Sequence, residues 1–426
     1  MREEQGRHGQ ARREDLQAGA AGMWRWLDFL PVKPPVRYPL PVGGTPLLAP
    51  PVLREELGLD LWLKDETRGP SASNKDRATA LVIQHALGER AGAPATISCA
   101  STGNVAVSLA VGAAAAGLRA VIFVPSQVDP HKLALMRLAG ATVVKVREGY
   151  AAAFRLSRQA AEAFGWHDRN TGVNPLTVEG KKTAAFEIWE QLGGTMPDVV
   201  VAPVGDGVTL AALDRGFREL AAVPAAAPGG AAPGTACGAA GAAGAVPGTA
   251  AGAAGAVPGP ATGAPSPGVR LPRIIGVQAA GADPVRRAWL WGTDRIEPLE
   301  PRTIADGIAV GAPIYGAEAL AAVRASGGGF VAVSDDELLA AVARLASRAG
   351  VLAEPAGAAA FAGVVRAVAE GLIAPGERVV VLVTGSALKT PGLVTAALQA
   401  GAPEPGPVVE IPADLDALRE ALDLRA

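Results

Sequence analysis

Cysteine and histidine are nearly absent: the 426 residues include two cysteines, Cys99 and Cys237, and four histidines. That excludes a disulfide scaffold and a Cys/His zinc set, so no metal is expected. Cys99 falls in the strand-like run TISCAS and reads as a buried side chain. Charge is scarce too, with Asp, Glu, Lys and Arg at 19% and a formal net charge of −2. With no basic excess to neutralise phosphates, a nucleic-acid partner is excluded. The N-terminal stretch MREEQGRHGQARREDLQAG has no apolar core, so it is not a secretory signal. The longest apolar-looking run, AVSLAVGAAAAGLRAVIFV, is interrupted by Ser108, Gly112, Gly117 and Arg119 and reads as a helix followed by a strand rather than a bilayer span. A soluble cytoplasmic protein with no membrane partner is the expectation.

What the chain does have is apolar material, 49% of its residues, ample for a core. Its length suggests two or three domains, or one large α/β enzyme. Residues 1–20 are expected to fray, and residues 24–56 are proline-rich and irregular. LWLKDE (61–66) reads as a strand and DRATALVIQHALGERAG (76–92) as a helix. Alternating units follow: strands at 96–101, 121–126 and 141–146, with helices at 104–117, 129–140 and 150–165. Near-continuous apolar strands joined by helical crossovers are the pattern of a buried parallel sheet. Residues 94–185 therefore read as a small α/β domain. Further strands at 198–205, 274–279 and 378–385, with helices at 209–220, 318–325 and 335–350, read as a second sheet. The helix after Asp335 carries acidic residues in its first turn, which suits its dipole. Residues 223–267 break the pattern. They are almost only Ala, Gly, Pro, Thr, Val and Ser, and the octet GAAGAVPG occurs twice, so they read as a disordered insertion with Cys237 exposed inside it.

Four local features carry chemistry. In PVGDGVTLAALD (203–214) an apolar strand runs into Gly205-Asp206-Gly207 and then a helix. Glycines allow close backbone approach, and the helix start offers unpaired N–H groups to a phosphate monoester. The loop is neither a Walker loop nor a dinucleotide fingerprint. Asp206 would be awkward beside an anion, so its carboxylate should turn away. CASTGNVAVS (99–108) repeats the geometry, and its Ser101-Thr102-Gly103-Asn104 turn can wrap a carboxylate; it also suits a plain N-cap. VTGSALK (383–389) ends a strand at Thr384, which can face a heteroaromatic nitrogen or simply cap. Lys75, in SASNKDRATA, is a nucleophilic amine or a solvated helix start. Taken together, the four match the needs of a Schiff-base cofactor with a phosphate handle.

At this point the sequence resembles the fold-type II pyridoxal-phosphate enzymes and, within them, the threonine synthase family. The matching stretches are GMWRWLDFLP (21–30), GGTPLL (43–48), LWLKDET (61–67), SASNKDRA (71–78), CASTGNVAVSLA (99–110), NPLTVEGKKTAAFEI (174–188), PVGDGVTLAAL (203–213), LAEPAGAAAFAG (352–363) and VTGSALK (383–389). The resemblance implies two open parallel-sheet α/β domains with pyridoxal 5'-phosphate in the cleft between them. Residues 21–93 and 186–426 would form the large domain and 94–185 the small one. It implies that Lys75 carries the cofactor as a Schiff base and shuttles protons. Asn104 would hydrogen-bond the ring oxygen. Gly205, Asp206, Gly207, Val208 and Thr209 would form the phosphate cradle, Asp206 with no contact of its own. Thr384 would face the pyridine nitrogen. Ser101, Thr102, Gly103 and Asn104 would hold the substrate carboxylate, and Glu354 matches a residue near the cofactor. The implied partners are a small amino-acid substrate and a second copy in a homodimer.

The implied reaction turns O-phospho-L-homoserine and water into L-threonine and phosphate. The KDR triplet, the EGKKTAAFEI run and Thr384 favour it over serine and threonine dehydratases. Three positions depart from the family pattern. Asn74 stands where a phenylalanine usually precedes the lysine, and a buried asparagine demands partners. Thr177 stands where an arginine usually contacts the substrate phosphate, leaving Lys181, Lys182, Arg77 or Lys132 to compensate. Val42 replaces a customary glutamate. Asn74 and Thr177 support the rival reading, a related lyase or β-replacement enzyme acting on serine, threonine or another activated amino acid. Deletion of residues 223–267 is expected to leave kcat/KM nearly intact; a collapse of turnover would show that the insertion belongs to the site.

Overall fold

In the computed structural model, which describes residues 21–89, 95–222, 269–399, 408–413, 417–418 and 421, the two valine-rich runs at 199 and 379 become neighbouring central strands. In chain order the strands are β1 (Leu47–Leu48), β2 (Asp60–Asp65), β3 (Thr96–Ala100), β4 (Arg119–Pro125), β5 (Thr142–Val146), β6 (His167–Asp168), β7 (Val199–Pro203), β8 (Arg273–Ala279), β9 (Gly329–Val333) and β10 (Arg378–Val383). The helices are α1 (Pro51–Leu57), α2 (Lys75–Gly88), α3 (Asn104–Ala115), α4 (Pro130–Leu138), α5 (Tyr150–Phe164), α6 (Leu176–Gln191), α7 (Val208–Ala222), α8 (Pro284–Leu290), α9 (Gly316–Ser326), α10 (Asp335–Ala349), α11 (Pro355–Ala369) and α12 (Pro391–Gln399). Among the described residues the strands form two sheets. The larger has the order β1-β2-β10-β7-β8-β9, parallel except for the β1 edge, and the smaller is the parallel set β5-β4-β3-β6.

Both faces of the large sheet are covered, which is why the central strands β7 and β10 are near-continuous apolar runs rather than alternating ones. Val199, Val201, Val379, Val381 and Val383 pack with α10 and α11 on one face. Val200, Ala202, Val380 and Leu382 pack with Trp26, Phe186 and Phe217 on the other. That odd–even division is the two-residue period of a strand. In the small sheet Ile97, Cys99, Ile122 and Val124 face α2 and α3, while Ala100, Val121 and Phe123 face α5. Strands β3, β7 and β10 all end in the polar turns that carry the candidate chemistry. The carboxyl ends of parallel strands are where an open α/β sheet leaves a crevice.

The α/β alternation read from the sequence is present, with differences at the margins. Residues 24–56 are not wholly irregular: Gly22–Phe29 forms 3-10 turns and Pro51–Leu57 forms α1. The cap of α10 is Ser334, one residue before Asp335, in a reciprocal box with Glu337. Strands β1 and β6 have only two residues each, too few to show a pattern, and β9 hides behind the glycines that end α9. The expectations for residues 1–20 and for the insertion with Cys237 fall outside the described residues. No described helix is long and apolar enough to cross a membrane.

One buried polar network ties the fold beneath the site. Arg77 is 1% exposed and forks onto two carboxylates. Its Nε and Nη2 each donate to Glu66 at 2.7 Å, and its Nη1 and Nη2 each donate to Glu187 at 2.7 Å. Lys64 adds 2.7 Å bonds to Glu187 and to the Thr45 carbonyl. Four motifs from distant parts of the chain are thereby pinned together: GGTPLL, LWLKDET, SASNKDRA and EGKKTAAFEI. Helices α2 and α6 cross closely at Gly180, where a Cβ would run into the Arg77 carbonyl. Burial alone would raise the Glu187 pKa, yet Arg77 and Lys64 hold it well below the ordinary carboxylate range. Its stabilisation is therefore complete above roughly pH 4.3, the unfolded value, and is lost as pH falls through the lowered folded one. Arg77→Met leaves Glu187 with Lys64 alone and Glu66 with the Thr45 hydroxyl and no paired cation, and should cost about 3–5 kcal/mol by urea unfolding. A loss below about 1 kcal/mol would show that the network is not what fixes this crossing.

Candidate active site

The segment before Lys75 is knitted to the end of β10 by backbone bonds. Asn74 N donates to the Thr384 carbonyl at 3.0 Å, and Ser386 N donates to the Ala72 carbonyl at 3.0 Å. Glu354 N donates to the Gly385 carbonyl at 3.0 Å. SASNK, VTGS and LAEP thus form one layered floor. Ala72 has φ +55°, a left-handed conformation that an alanine resists. Its carbonyl is held from two sides, by Ser386 N and by Lys389 Nζ at 2.7 Å. Asp76 closes the segment from the other direction, accepting from Ser71 N at 2.9 Å and from the hydroxyls of Ser71 at 2.5 Å and Ser108 at 2.7 Å. The KDR triplet therefore divides its labour: Asp76 and Arg77 anchor the first turn of α2, and Lys75 is left with its amine free of any carboxylate bond.

Lys75 Nζ donates to Asn74 Oδ1 at 2.7 Å, and Asn74 Nδ2 points on to Thr209 Oγ1 at 3.5 Å. The buried asparagine has the partners its polarity demands, and both are candidate site residues. Burial lowers the Lys75 pKa to about 8; the nearby Glu354 carboxylate pulls upward, and Arg169 and Lys389 push down. A substantial share of the amine is then neutral near physiological pH, which a nucleophile or general base requires.

Thr209 lies in the first turn of α7, directly after the Gly205-Asp206-Gly207 loop. Gly207 has φ +90°, and a side chain there would strike the Tyr315 carbonyl. The Asp206 carboxylate does turn away, accepting from Ile314 N at 2.9 Å. The first-turn N–H groups of α7 are thus free of that anion and available to another. Lys181, on α6, donates to Thr209 Oγ1 at 3.2 Å.

Asn104 begins α3 from the end of β3 and reaches across to the Glu354 carboxylate, to which its Nδ2 donates. A side chain on Gly385 would collide with this pair. Asn104 Oδ1 and Glu354 Oε2 are buried without a hydrogen-bond partner in the described structure. Neither Ser101 nor Thr102 caps α3 by side chain, which leaves the turn less committed than an N-cap reading implies. Thr384 is 5% exposed and its hydroxyl makes only a 3.4 Å contact with the Ala356 carbonyl; the cap of the following 3-10 turn is Ser386 instead.

The structure thus brings Lys75, Asn104 and Thr384 onto one floor, and a hydrogen-bonded path leads from Lys75 through Asn74 to Thr209. These residues fit a phosphorylated pyridoxal: an amine of lowered pKa, orphaned polar atoms where a polar ring would lie, and a helix start with a cation beside it. Three side chains escaped the sequence reading. Arg169 donates to the Lys75 carbonyl at 3.3 Å and to the hydroxyls of Thr79 and Thr171, both at 2.9 Å. Asp306 pairs with Lys132, and Lys389 holds the carbonyls of Ser71 and Ala72. Arg169 and Asp306 lie in stretches that carry no motif, and Lys389, although it ends VTGSALK, has no role marked there; only the fold brings them close. Away from the site, His85, Glu89 and His167 place ligand atoms within 4.8 Å of one another, a group that counting cysteines does not reveal. It lies at the far end of α2, roughly 15 Å along the helix from Lys75.

The model of the family described as "Pyridoxal-phosphate dependent enzyme" matches residues 38–247 and 229–385. The chain is 33% identical over 415 residues to a threonine synthase of Methanocaldococcus jannaschii, spanning 96% of this chain and 89% of that one. It is 34% identical over 353 residues to a threonine synthase of Mycobacterium tuberculosis, spanning 82% of each. Among solved structures, the threonine deaminase of T.th. superposes with a TM-score of 0.58 at 26% identity, over 80% of this chain and 92% of that one. The processed threonine deaminase isoform 2 of Solanum lycopersicum does so at 0.64 and 20% identity over 90% and 96%, a likeness of fold.

The rate at which the cofactor-free protein takes up pyridoxal 5'-phosphate is expected to rise with pH and level off above about 8, the Lys75 value. A midpoint near 10.5, the ordinary lysine value, would show that burial does not reach this amine.

Proposed function

The chain belongs to the fold-type II pyridoxal-phosphate dependent enzymes, in the threonine synthase family, and from that membership we propose that it converts O-phospho-L-homoserine and water to L-threonine and phosphate. The observation that carries the reading is the hydrogen-bonded path from the Lys75 amine through Asn74 to Thr209 at the start of α7. It joins a base to an anion site within one crevice. We take the acting unit to be a homodimer, as the family resemblance implies, in the cytoplasmic setting expected from the sequence.

Bound pyridoxal phosphate supplies an aldehyde for the substrate amine and a ring that spreads the electrons left behind when a proton departs. Lys75 would hold it, Asn104 would face its ring oxygen, Thr384 its ring nitrogen, and Gly205, Gly207, Val208 and Thr209 its phosphate. Asp206 would keep its carboxylate on Ile314 N. The turn Ser101-Thr102-Gly103-Asn104 would orient the substrate carboxylate. Lys75 would then take the proton from Cα, take another from Cβ as phosphate leaves Cγ, return one at Cγ, deprotonate the water that adds at Cβ and return a proton at Cα, the remaining proton leaving with the phosphate. One amine can perform these transfers in turn because its pKa of about 8 lets it both accept and return a proton. Position, fixed by Asp76 and Arg77, supplies the rest.

The rival reading rests on Asn74 and on Thr177, whose hydroxyl is turned onto the Asn174 carbonyl at 2.7 Å and offers no charge. One panel separates the two. The purified protein is incubated with O-phospho-L-homoserine, and phosphate and threonine are measured alongside ammonia from serine and threonine. Equal release of phosphate and threonine is expected, and Lys75→Ala should abolish it. Ammonia from serine or threonine with neither expected product would establish the rival.

A further inference from the structure

Four cations, Lys181, Lys182, Arg77 and Lys132, are candidates to replace the arginine missing at Thr177, and the structure separates them. Lys182 is neutralised by Glu179 and Glu219, each at 2.6 Å. Arg77 is neutralised by Glu66 and Glu187, each at 2.7 Å. Lys132 pairs with Asp306 and lies 4.0 Å from Glu354. Lys181 differs. It is 4% exposed, yet among the described residues it forms no ion pair, and its one recorded hydrogen bond goes to the Thr209 hydroxyl at 3.2 Å. An ammonium has three donors and no acceptor capacity, so at least two are left over.

A buried lysine without an anion is costly, and proteins keep one only where its charge is used or its proton is given up. Burial, with Lys75 and Arg169 nearby, pushes the Lys181 pKa well below its ordinary value; Asp206 opposes this, but its carboxylate is engaged by Ile314 N. The pocket formed by α6 and the start of α7 therefore combines free helix N–H groups, a hydroxyl and a cation lacking its counter-ion. The arrangement is complete only when an anion is added.

We propose that Lys181 is the counter-charge for a phosphate monoester dianion bound with Thr209 at the start of α7. The inference rests on the cofactor assignment above, and the chemistry fits two sources, the cofactor's own phosphate or that of a phosphorylated substrate. It also assigns a structural consequence to Thr177: positive charge enters this crevice from one helical turn further along α6. A dianion arriving beside Lys181 raises its pKa again, so binding should draw a proton onto the amine.

The test compares full-length wild type with Lys181→Met, which keeps length and removes charge, and Lys181→Gln, which keeps a polar end. The cofactor-free proteins are titrated with pyridoxal 5'-phosphate and with pyridoxal, which has no phosphate. The cofactor-loaded proteins are titrated with inorganic phosphate, followed by the cofactor's absorption. Loss of one charge-assisted contact predicts a roughly tenfold or greater weakening of phosphate-dependent binding in both variants, with pyridoxal binding unchanged. Weakening confined to pyridoxal phosphate identifies the cofactor's phosphate; weakening confined to inorganic phosphate identifies the substrate's. The cofactor-free Lys181→Met protein should melt no lower than wild type, since it loses an uncompensated group. Unchanged titrations in both arms overturn the proposal. A wild type that shows the Lys181 effect but does not turn over O-phospho-L-homoserine would unseat the reaction assigned above and leave this inference standing.

Discussion

Everything at the site depends on one buried cation being fully satisfied. The Arg77 guanidinium, two residues after the lysine, is held by Glu66 from the end of β2 and by Glu187 from α6, and Lys64 shares Glu187. Because two positive and two negative groups balance, the cluster can sit in the interior without an unpaired charge. It fixes where α2 starts and how closely α6 crosses it at Gly180. Since Lys75 opens α2 and Lys181 lies on α6, their separation is set by the same cluster. The chemistry is thus positioned from beneath by groups that need never touch a substrate.

A second dependence runs through burial. Lys75 is useful because its neighbours do not neutralise it. Asp76 is directed to Ser71 and Ser108, Glu354 to Asn104, and Asp306 to Lys132. Asp76 and Asp306 are occupied elsewhere and Glu354 gives one oxygen to Asn104, so desolvation outweighs the upward pull of Glu354 and the pKa falls. Asn74 belongs to this logic. A carboxamide accepts the lysine's hydrogen bond without supplying a charge, and its other end reaches Thr209.

Much of this was legible in the chain. The strand ends at Ser101, Gly205 and Thr384 announce themselves because apolar parallel strands stop there before small polar turns, one at the carboxyl end of the small sheet and two at the carboxyl end of the large one. The KDR triplet was legible as a motif, but the separate tasks of Asp76 and Arg77 were not, because apart from Ser71 their partners lie outside it, up to 110 residues away. Arg169 looks like an ordinary surface residue in sequence, and Lys389 closes the VTGSALK motif without a role of its own; only tertiary packing buries them. Ala72 shows the same limit: a left-handed alanine has no sequence signature, since its conformation is imposed by Ser386 and Lys389 across the floor. Thr177 and Lys181 were both visible as letters. Which of four cations remained unpaired required coordinates.

The attachment points of α7 and β8 carry a consequence for where the side chains of the crevice lie. α7 begins at the Gly205–Gly207 turn and runs away from the crevice to Ala222, while β8 starts at Arg273 on the rim opposite the carboxyl strand ends. Both of those points lie away from the strand ends that carry Gly205 and Thr384, a full helix length from the turn where α7 begins. The protein is in effect polarised into a face that carries the side chains of the crevice and a rim, holding the end of α7 and the start of β8, that carries none of them.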